Sequence, residues 1–114
     1  MSFLGTLLIF GILFTASAAQ AAVDVTTPPL GQSVHLIHEA VGCGSLDGLF
    51  RIAVIWTENG ESAALAKMRD EDCRLFRTFR GEVTDAKAGA ICVLGPGNTR
   101  CLWFAATAFA PARP

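Results

Sequence analysis

The chain begins with an apolar run followed by small residues. Residues 3–14 carry no charged side chain, and no Lys or Arg occurs before Arg51. An apolar run of about a dozen residues followed by an A-x-A site is typical of a secretory signal peptide, whereas a membrane span needs roughly 20 apolar residues. Ala19-Gln20-Ala21 fits that site, as does Ala16-Ser17-Ala18. We predict a signal peptide over residues 1–21, cleaved near Ala21; the alternative is a retained membrane anchor.

An extended lead-in and a short strand are predicted next. Residues 22–33 contain Pro28-Pro29 and Gly31, which favour extended or turning backbone. Residues 34–40, VHLIHEA, alternate between apolar and polar positions, which favours a strand or, alternatively, a docked extended segment. Glycines on both sides of Cys43 are expected to end this strand.

Residues 46–56 are predicted to form a helix. Ser45 can cap it, and Asp47 would lie in its first turn near the positive end of the helix dipole. The apolar positions share one helical face: Leu46, Leu49, Phe50, Ala53 and Trp56. The alternative is a strand, because FRIAVIW is rich in residues that favour strands.

The second half of the pattern predicts one more helix and then antiparallel strands. Strong helix formers in ESAALAKMRD predict a helix over residues 61–70, with Leu65 and Met68 on one side. A strand is predicted from Cys73, with a turn or bulge at Gly81 and a continuation over residues 82–85, followed by a loop over 86–89. A hairpin is predicted next, with strands over 91–94 and 100–104 and a tip at 95–98. The chain is expected to end in a closing turn over 105–109 and a frayed tail over 110–114.

Four cysteines follow the predicted signal peptide, and an even number in a small exported chain indicates disulfides. A hairpin centred on Pro96-Gly97 places Cys92 directly opposite Cys101, with Cβ atoms about 4.5–5.5 Å apart, which is close to bridging distance. Cys43 is then left to pair with Cys73. A metal site is the alternative, but the cysteines lack the short C-x2–4-C spacing of zinc sites. We therefore predict two disulfides, no metal and no cofactor.

The charge pattern argues against nucleic-acid binding. The formal net charge is −1, so no large basic field attracts nucleic acid. Arg74, Arg77 and Arg80 alternate with Phe76 and Phe79, a composition that can bind single strands. The neighbouring acids Asp70-Glu71-Asp72 favour a locally neutralised cluster instead, and a small anionic ligand or an acidic partner surface is the alternative.

No spacing of polar residues selects a catalytic site. Ser45 lies among glycines but outside any G-x-S-x-G or phosphate-loop motif. His35 and His38 can titrate near neutral pH, yet no partner is evident in the sequence. We interpret Ser45 as a helix cap and the histidines as polar positions on a half-exposed strand.

Trp103 is expected either to pack in the core or to contact a partner. On a strand, one of Leu102 and Trp103 faces inward and the other outward. If Trp103 faces solvent near Phe79, then Trp103, Arg77 and Phe79 are possible partner contacts, since Trp and Arg are favoured at interface hot spots.

The order of these motifs resembles a group of small exported proteins found in alphaproteobacteria. The matching residues are Gly42-Cys43, a helix pair, Asp72-Cys73-Arg74, Ile91-Cys92-Val93 and Cys101-Leu102-Trp103. The last part of the chain, from Gly81-x-Val83 onward, also looks like half of an SH3-like barrel, although a full barrel needs five strands. The resemblance covers about residues 34–109. It implies an exported location and a fold, because no activity is attached to the group.

Together these patterns predict one α+β domain over residues 34–109: a helix pair, then a small antiparallel SH3-like unit, with two disulfides. We expect an exported, monomeric, non-enzymatic module that binds a protein or another envelope component. The alternatives are a small envelope enzyme or enzyme inhibitor, and a structural protein tethered to the membrane by a retained leader.

Overall fold

The computed structural model describes residues 27–112. The predicted signal peptide, its cleavage site and the anchor alternative lie outside these residues, as does the end of the predicted tail. The described residues form two helices and one antiparallel sheet, an α+β fold as predicted. The elements are β1 (Ser33–Leu36), β2 (Ala40–Cys43), α1 (Leu46–Asn59), α2 (Glu61–Lys67), β3 (Cys73–Phe76), β4 (Arg80–Lys87), β5 (Ala90–Leu94), β6 (Leu102–Ala105) and β7 (Phe109–Pro111), with 3-10 turns at Arg69–Glu71 and Ala106–Ala108.

The strands lie in the order β3-β2-β6-β5-β4-β1-β7, and every neighbouring pair is antiparallel. The prediction of one strand over residues 34–40 was wrong: the segment forms β1, a bend and then β2. β1 pairs with β4 and β7, whereas β2 pairs with β3 and β6. The backbone N–H groups at the bend are satisfied from other elements, since Leu36 donates to Phe79 O and Ile37 to Ala108 O. The strand does not end before Cys43, which pairs with Cys73.

Two hydrophobic clusters lie on opposite sides of the central strands. The sheet core contains Val34, Val83, Ile91, Val93, Phe104, Ala106, Ala108 and Phe109. The helix core contains Cys43, Leu49, Ile52, Ala64, Met68, Cys73 and Ala90, with Trp103 packed against it. β5 serves both clusters, which explains its unbroken apolar sequence AICVL, because a strand buried on both faces has no need of polar alternation.

α1 is a helix, as predicted, and Ser45 is its N-cap: the Ser45 hydroxyl accepts a hydrogen bond of 3.0 Å from Gly48 N–H. The predicted buried face was partly wrong. The buried residues are Gly48, Leu49 and Ile52, while Phe50 and Trp56 are 40% and 36% exposed. A Cβ added to Gly48 would lie 2.8 Å from Glu71 O. The turn after α2 therefore packs directly on α1 at a glycine, which an apolar-residue pattern does not count.

α2 is shorter than predicted. It ends at Lys67, and a 3-10 turn follows at Arg69–Glu71. Met68 is buried as expected, but Leu65 is 41% exposed and Ala64 is completely buried instead. A small residue at the contact lets two helices approach closely, so α2 turns its alanine, and not its leucine, toward the helix core.

Both predicted disulfides are present. Cys43 is bonded to Cys73 and Cys92 to Cys101, with Cα–Cα distances of 4.0 and 5.3 Å. The predicted hairpin register was wrong, because Cys92 pairs with Trp103 and not with Cys101. The tip is a β-turn closed by Asn98 N–H donating to Gly95 O, with Gly97 at φ 78°, as a type II turn requires. Such a turn does not continue the strand twist, so β6 begins only at Leu102 and the register shifts by two residues.

The predicted loop over residues 86–89 is only a two-residue turn. Lys87 pairs with Ala90, and between them Ala88 and Gly89 both have positive φ values, 51° and 82°. This is the backbone of a type I′ hairpin turn, which matches the twist of the flanking strands. Strand β4 therefore runs through Gly81 to Lys87, and its irregularity lies between Val83 and Asp85.

The chain closes differently from the predicted frayed tail. The closing turn is confirmed as a 3-10 turn, but Phe109–Pro111 then forms β7 and pairs with β1. Ala112 N–H also donates to Ser33 O. Proline lacks a donor and is tolerated on an edge strand, and β7 is an edge strand. At the other end, Gly31 N–H donates to Val83 O, so the predicted lead-in joins the fold before β1.

Candidate functional site

Trp103 lies between the two disulfides. Across the sheet, Cys73 pairs with Cys43, Cys43 with Trp103, and Trp103 with Cys92. Residues that pair directly across antiparallel strands share a face of the sheet, so this row faces the helices. Trp103 is half-buried against the helix core. It is therefore part of the sheet surface on which the helices pack.

A groove of about 480 Å³ lies between α1 and the sheet beside this surface. Nine of its fourteen lining residues are apolar, and Leu49 and Ile52 are buried at its base. The apolar residues are Ala40, Val41, Leu49, Ile52, Ala53, Trp56, Leu75, Ala105 and Ala108; the polar ones are His38, Glu39, Thr57, Glu61 and Thr107. The groove thus combines an apolar base with a small number of polar groups.

The charged residues of the groove are both acidic. Glu39 comes from the bend before β2, and Glu61 begins α2. No Lys or Arg is part of the lining. The groove therefore suits an occupant that is apolar at its centre and positively charged beside it.

Trp56 is the groove residue that the sequence pattern misassigned. The predicted helix face counts it as core, whereas 36% of it is exposed in the last part of α1. A usable signal was its position: Asn59-Gly60 ends the helix three residues later, so Trp56 lies near the end of the helix, where less of the fold covers it. An exposed indole beside an apolar groove is the kind of group that dominates binding energy at interfaces.

The two histidines lie in different places. His38 lines the groove, and its Nδ1 lies 3.0 Å from Glu39 O, which makes Nδ1 the donor. His35 lines another depression, together with Thr78, Phe79 and Arg80. His38, Glu39 and Glu61 therefore line the same groove, whereas His35 lies outside it.

The three predicted partner contacts do not form one surface. Phe79 packs in the sheet core, with its ring centroid 5.1 Å from that of Phe104 and 5.3 Å from that of Phe76. Trp103 belongs to the helix core. Arg77 is exposed on the bend between β3 and β4. Of the two alternatives for Trp103, the structure has the packed one: Trp103 lies against the helix core, and Phe104 points to the opposite face of β6 into the sheet core.

The predicted neutralised charge cluster was also wrong. The acids Asp70, Glu71 and Asp72 pair elsewhere, with Lys67, Arg51 and Arg100 respectively. Arg74, Arg77 and Arg80 form no ion pair with any residue of the range 27–112; Arg74 instead lies over the Phe76 ring, 4.6 Å from its centroid. The arginines are therefore left without local acidic partners in the described chain.

Two absences apply to residues 27–112. They contain no cluster of three His, Cys, Asp or Glu side chains able to hold a metal ion. Nor does this part of the chain contain a helix long and apolar enough to cross a membrane.

Comparison with known proteins identifies no relative of this chain. No protein-family model matches the chain, and neither a curated protein nor a solved structure matches it at a significant level. Functional inference therefore rests on the groove, the disulfides and the charge distribution.

Proposed function

We propose that the protein is an exported, monomeric, non-enzymatic binding module. Its ligand is a protein segment that inserts an apolar side chain into the groove and carries Lys or Arg beside it. The carrying observation is an apolar base beside an exposed tryptophan, with Glu39 and Glu61 as the charged residues of the lining. The volume of about 480 Å³ falls within the usual range for binding sites, about 300–1,000 Å³.

An oxidising compartment fits the two disulfides. We therefore propose a periplasmic or secreted location, with the leader removed near Ala21. N-terminal sequencing of the exported protein tests this: a start near Val23 supports cleavage, whereas an intact Met1 supports the membrane-tethered alternative.

An SH3-like arrangement is proposed for five of the strands. β1, β4, β5 and β6 are successive neighbours, and β7 returns to β1 after a 3-10 turn. The segment from β2 to β3, with both helices, is then an insertion between the first and second strands of this unit. Five strands is the number that an SH3-like barrel needs, and this count supports the proposed arrangement. Kinship with small exported alphaproteobacterial proteins is a separate proposal that rests on the order of the cysteine motifs.

Peptide binding tests the proposed function. The probes are short peptides with a central Leu flanked by Lys, and the same peptides flanked by Glu, measured by calorimetry. We expect the protein to bind the Lys-flanked peptides more tightly than the Glu-flanked ones. Trp56→Ala should lower its affinity for the Lys-flanked peptides about tenfold or more. Phe50→Ala is the matched control, because Phe50 is 40% exposed on the same helix but outside the groove.

Equal affinity for both peptide sets would contradict the proposed role of the Glu39 and Glu61 carboxylates. Equal loss in Trp56→Ala and Phe50→Ala would contradict the groove as the binding site. Both variants are exposed substitutions, so near-UV circular dichroism serves to confirm that each remains folded.

A small enzyme is the second candidate, because the groove places His38 beside Glu39 and Glu61. Imidazole and carboxylate groups can act as general acids and bases. A hydrolase panel on the purified protein tests this candidate: activity that is lost in His38→Gln would favour the enzyme over the binding module. Ser45→Ala is the control, since the Ser45 hydroxyl caps α1 and does not line the groove.

A further inference from the structure

A second surface lies along the free edge of β3 and adjoins the groove, because Leu75 of β3 also lines the groove. β3 is the terminal strand of the sheet in the described chain, with β2 as its neighbour on one side. An uncovered edge strand presents unpaired N–H and C=O groups and is a template for pairing with another chain. Native proteins shield such edges with short strands and charged side chains, which discourage pairing with a like-charged edge but not with a segment of opposite charge.

The sheet register shows which backbone groups point outward. Gly44 N–H donates to Asp72 O, so Gly44 and Asp72 form a hydrogen-bonded pair. Bonded and non-bonded pairs alternate along an antiparallel ladder. Leu75, which is opposite Val41, therefore points its N–H and C=O away from β2. Cys73 N–H points the same way and is already taken by Met68 O, which leaves Leu75 as the open position.

Three arginines accompany this edge, and we call Arg74, Arg77, Arg80 and the backbone edge of β3 the arginine edge. Arg74 lies on β3, Arg77 on the bend that follows and Arg80 at the start of β4. All three are exposed. The Phe76 ring holds the Arg74 guanidinium in place by a cation–π contact of 4.6 Å, and this leaves the guanidinium N–H groups available to a carboxylate.

The acids near the arginine edge do not neutralise it. The nearby run Asp70-Glu71-Asp72 is committed to Lys67, Arg51 and Arg100. Glu39 adjoins Ala40, which pairs with Phe76, but Glu39 lines the groove. The Glu82 carboxylate lies beside Gly31. Among residues 27–112, none of the three arginines therefore has an internal acidic partner within ion-pair distance that would compete with an acidic ligand.

We propose that the arginine edge binds an acidic, extended segment of another protein, which adds to the sheet as a further strand beside β3. Backbone hydrogen bonds at Leu75 would align the segment, and its Asp or Glu side chains would meet Arg74 and Arg77, with Arg80 beyond the bend. Strand addition of this kind takes affinity from main-chain hydrogen bonds and specificity from side chains. The free edge favours a peptide over a phosphate or a lipid headgroup, which would use the charges alone.

Fluorescence anisotropy with a labelled peptide of about eight alternating Glu and Thr residues tests the proposal. The protein is purified from an oxidising compartment with both disulfides intact. We expect saturable binding that weakens with salt, and at least a tenfold loss when Glu is replaced by Gln in the peptide. N-methylation of alternate backbone amides in the peptide, on the set that faces Leu75, should cause a similar loss.

Matched protein variants locate the site. The triple change Arg74→Gln, Arg77→Gln and Arg80→Gln should weaken binding more than tenfold. The control Lys67→Gln, Arg69→Gln and Lys87→Gln makes the same change in net charge away from the bend, and it should alter binding less than about threefold. All six side chains are on exposed residues, so folding is expected to persist in both triple variants.

Four outcomes would overturn the proposal. They are the absence of peptide binding, equal loss in the two triple variants, full affinity of the N-methylated peptide, and displacement of the peptide by inorganic phosphate or phosphatidylglycerol vesicles at the concentrations where unlabelled peptide displaces it. The last two would show a charge-only site. Phe50 lies on α1 outside both the groove and the arginine edge, so Phe50→Ala should leave this binding unchanged.

Discussion

Gly42 of β2 is predicted not to tolerate a side chain, because two aromatic rings pack directly against its backbone. A Cβ at this residue would lie 2.5 Å from Phe104 Cζ and 2.8 Å from Phe76 Cε1, whereas carbon atoms normally pack at about 3.5–4.0 Å. Phe104 is completely buried. Its ring centroid lies 5.4, 5.1 and 5.0 Å from those of Phe76, Phe79 and Phe109, so the ring has no space into which it can move.

Two opposing terms set the magnitude for Gly42→Ala. Overpacking a filled core costs about 1–3 kcal/mol, while replacing a glycine gains about 0.4–1 kcal/mol by restricting the unfolded chain. The net expectation is a loss of about 1–2 kcal/mol in the free energy of unfolding. Urea denaturation with the disulfides intact measures it, and the m-value should stay constant if only stability changes.

The matched test places Gly42→Ala in a Phe104→Leu background. Leucine lacks the ring atoms that the new methyl group would meet, so the cost of Gly42→Ala should fall by about 1 kcal/mol or more in that background. This coupling is the quantity that a double-mutant cycle isolates. Gly42→Ala with unchanged stability, or with the same cost in both backgrounds, would refute the packing of Phe104 on β2.

Two further predictions concern the hairpins. Replacing Ala88 by Asn should stabilise the fold by about 0.5 kcal/mol, because Asn tolerates the positive φ of 51° and is preferred in type I′ turns; a lower urea midpoint would contradict the turn assignment. Removing the second disulfide with Cys92→Ser and Cys101→Ser should cost about 2.5–3 kcal/mol by the chain-entropy model. Unreduced peptide mapping should first show the Cys92–Cys101 link in the parent, and a Cys73–Cys92 link would contradict the fold.

Local signals in the sequence predicted the local structure well. Ser45 before an amphipathic run, Pro96-Gly97 between two apolar segments and four cysteines after an apolar leader are such signals. The structure has the cap, the turn and both disulfides at these positions. The cap and the turn depend on a few neighbouring residues, whereas the Cys43–Cys73 bond joins residues 30 apart and was predicted by elimination from the count of four cysteines.

The sequence-based predictions were wrong where contacts between distant parts of the chain determine the structure. The register after Pro96-Gly97 depends on how the turn twists, whereas the turn residues alone predict a symmetrical hairpin. The partners of Asp70-Glu71-Asp72 are residues 51, 67 and 100, which proximity along the chain cannot identify. Trp56 was assigned to the core from helical periodicity, although periodicity does not tell how much of the helix the sheet covers.

The central claim, a binding groove beside Trp56, has a direct spectroscopic test. The chain contains two tryptophans, so a ¹⁵N–¹H spectrum shows two indole signals, one from exposed Trp56 and one from half-buried Trp103. Titration with a Lys-flanked apolar peptide should shift the Trp56 indole signal to saturation while the Trp103 signal stays in place. An unmoved Trp56 signal at saturating peptide, or equal shifts of both signals, would contradict the groove as the binding site.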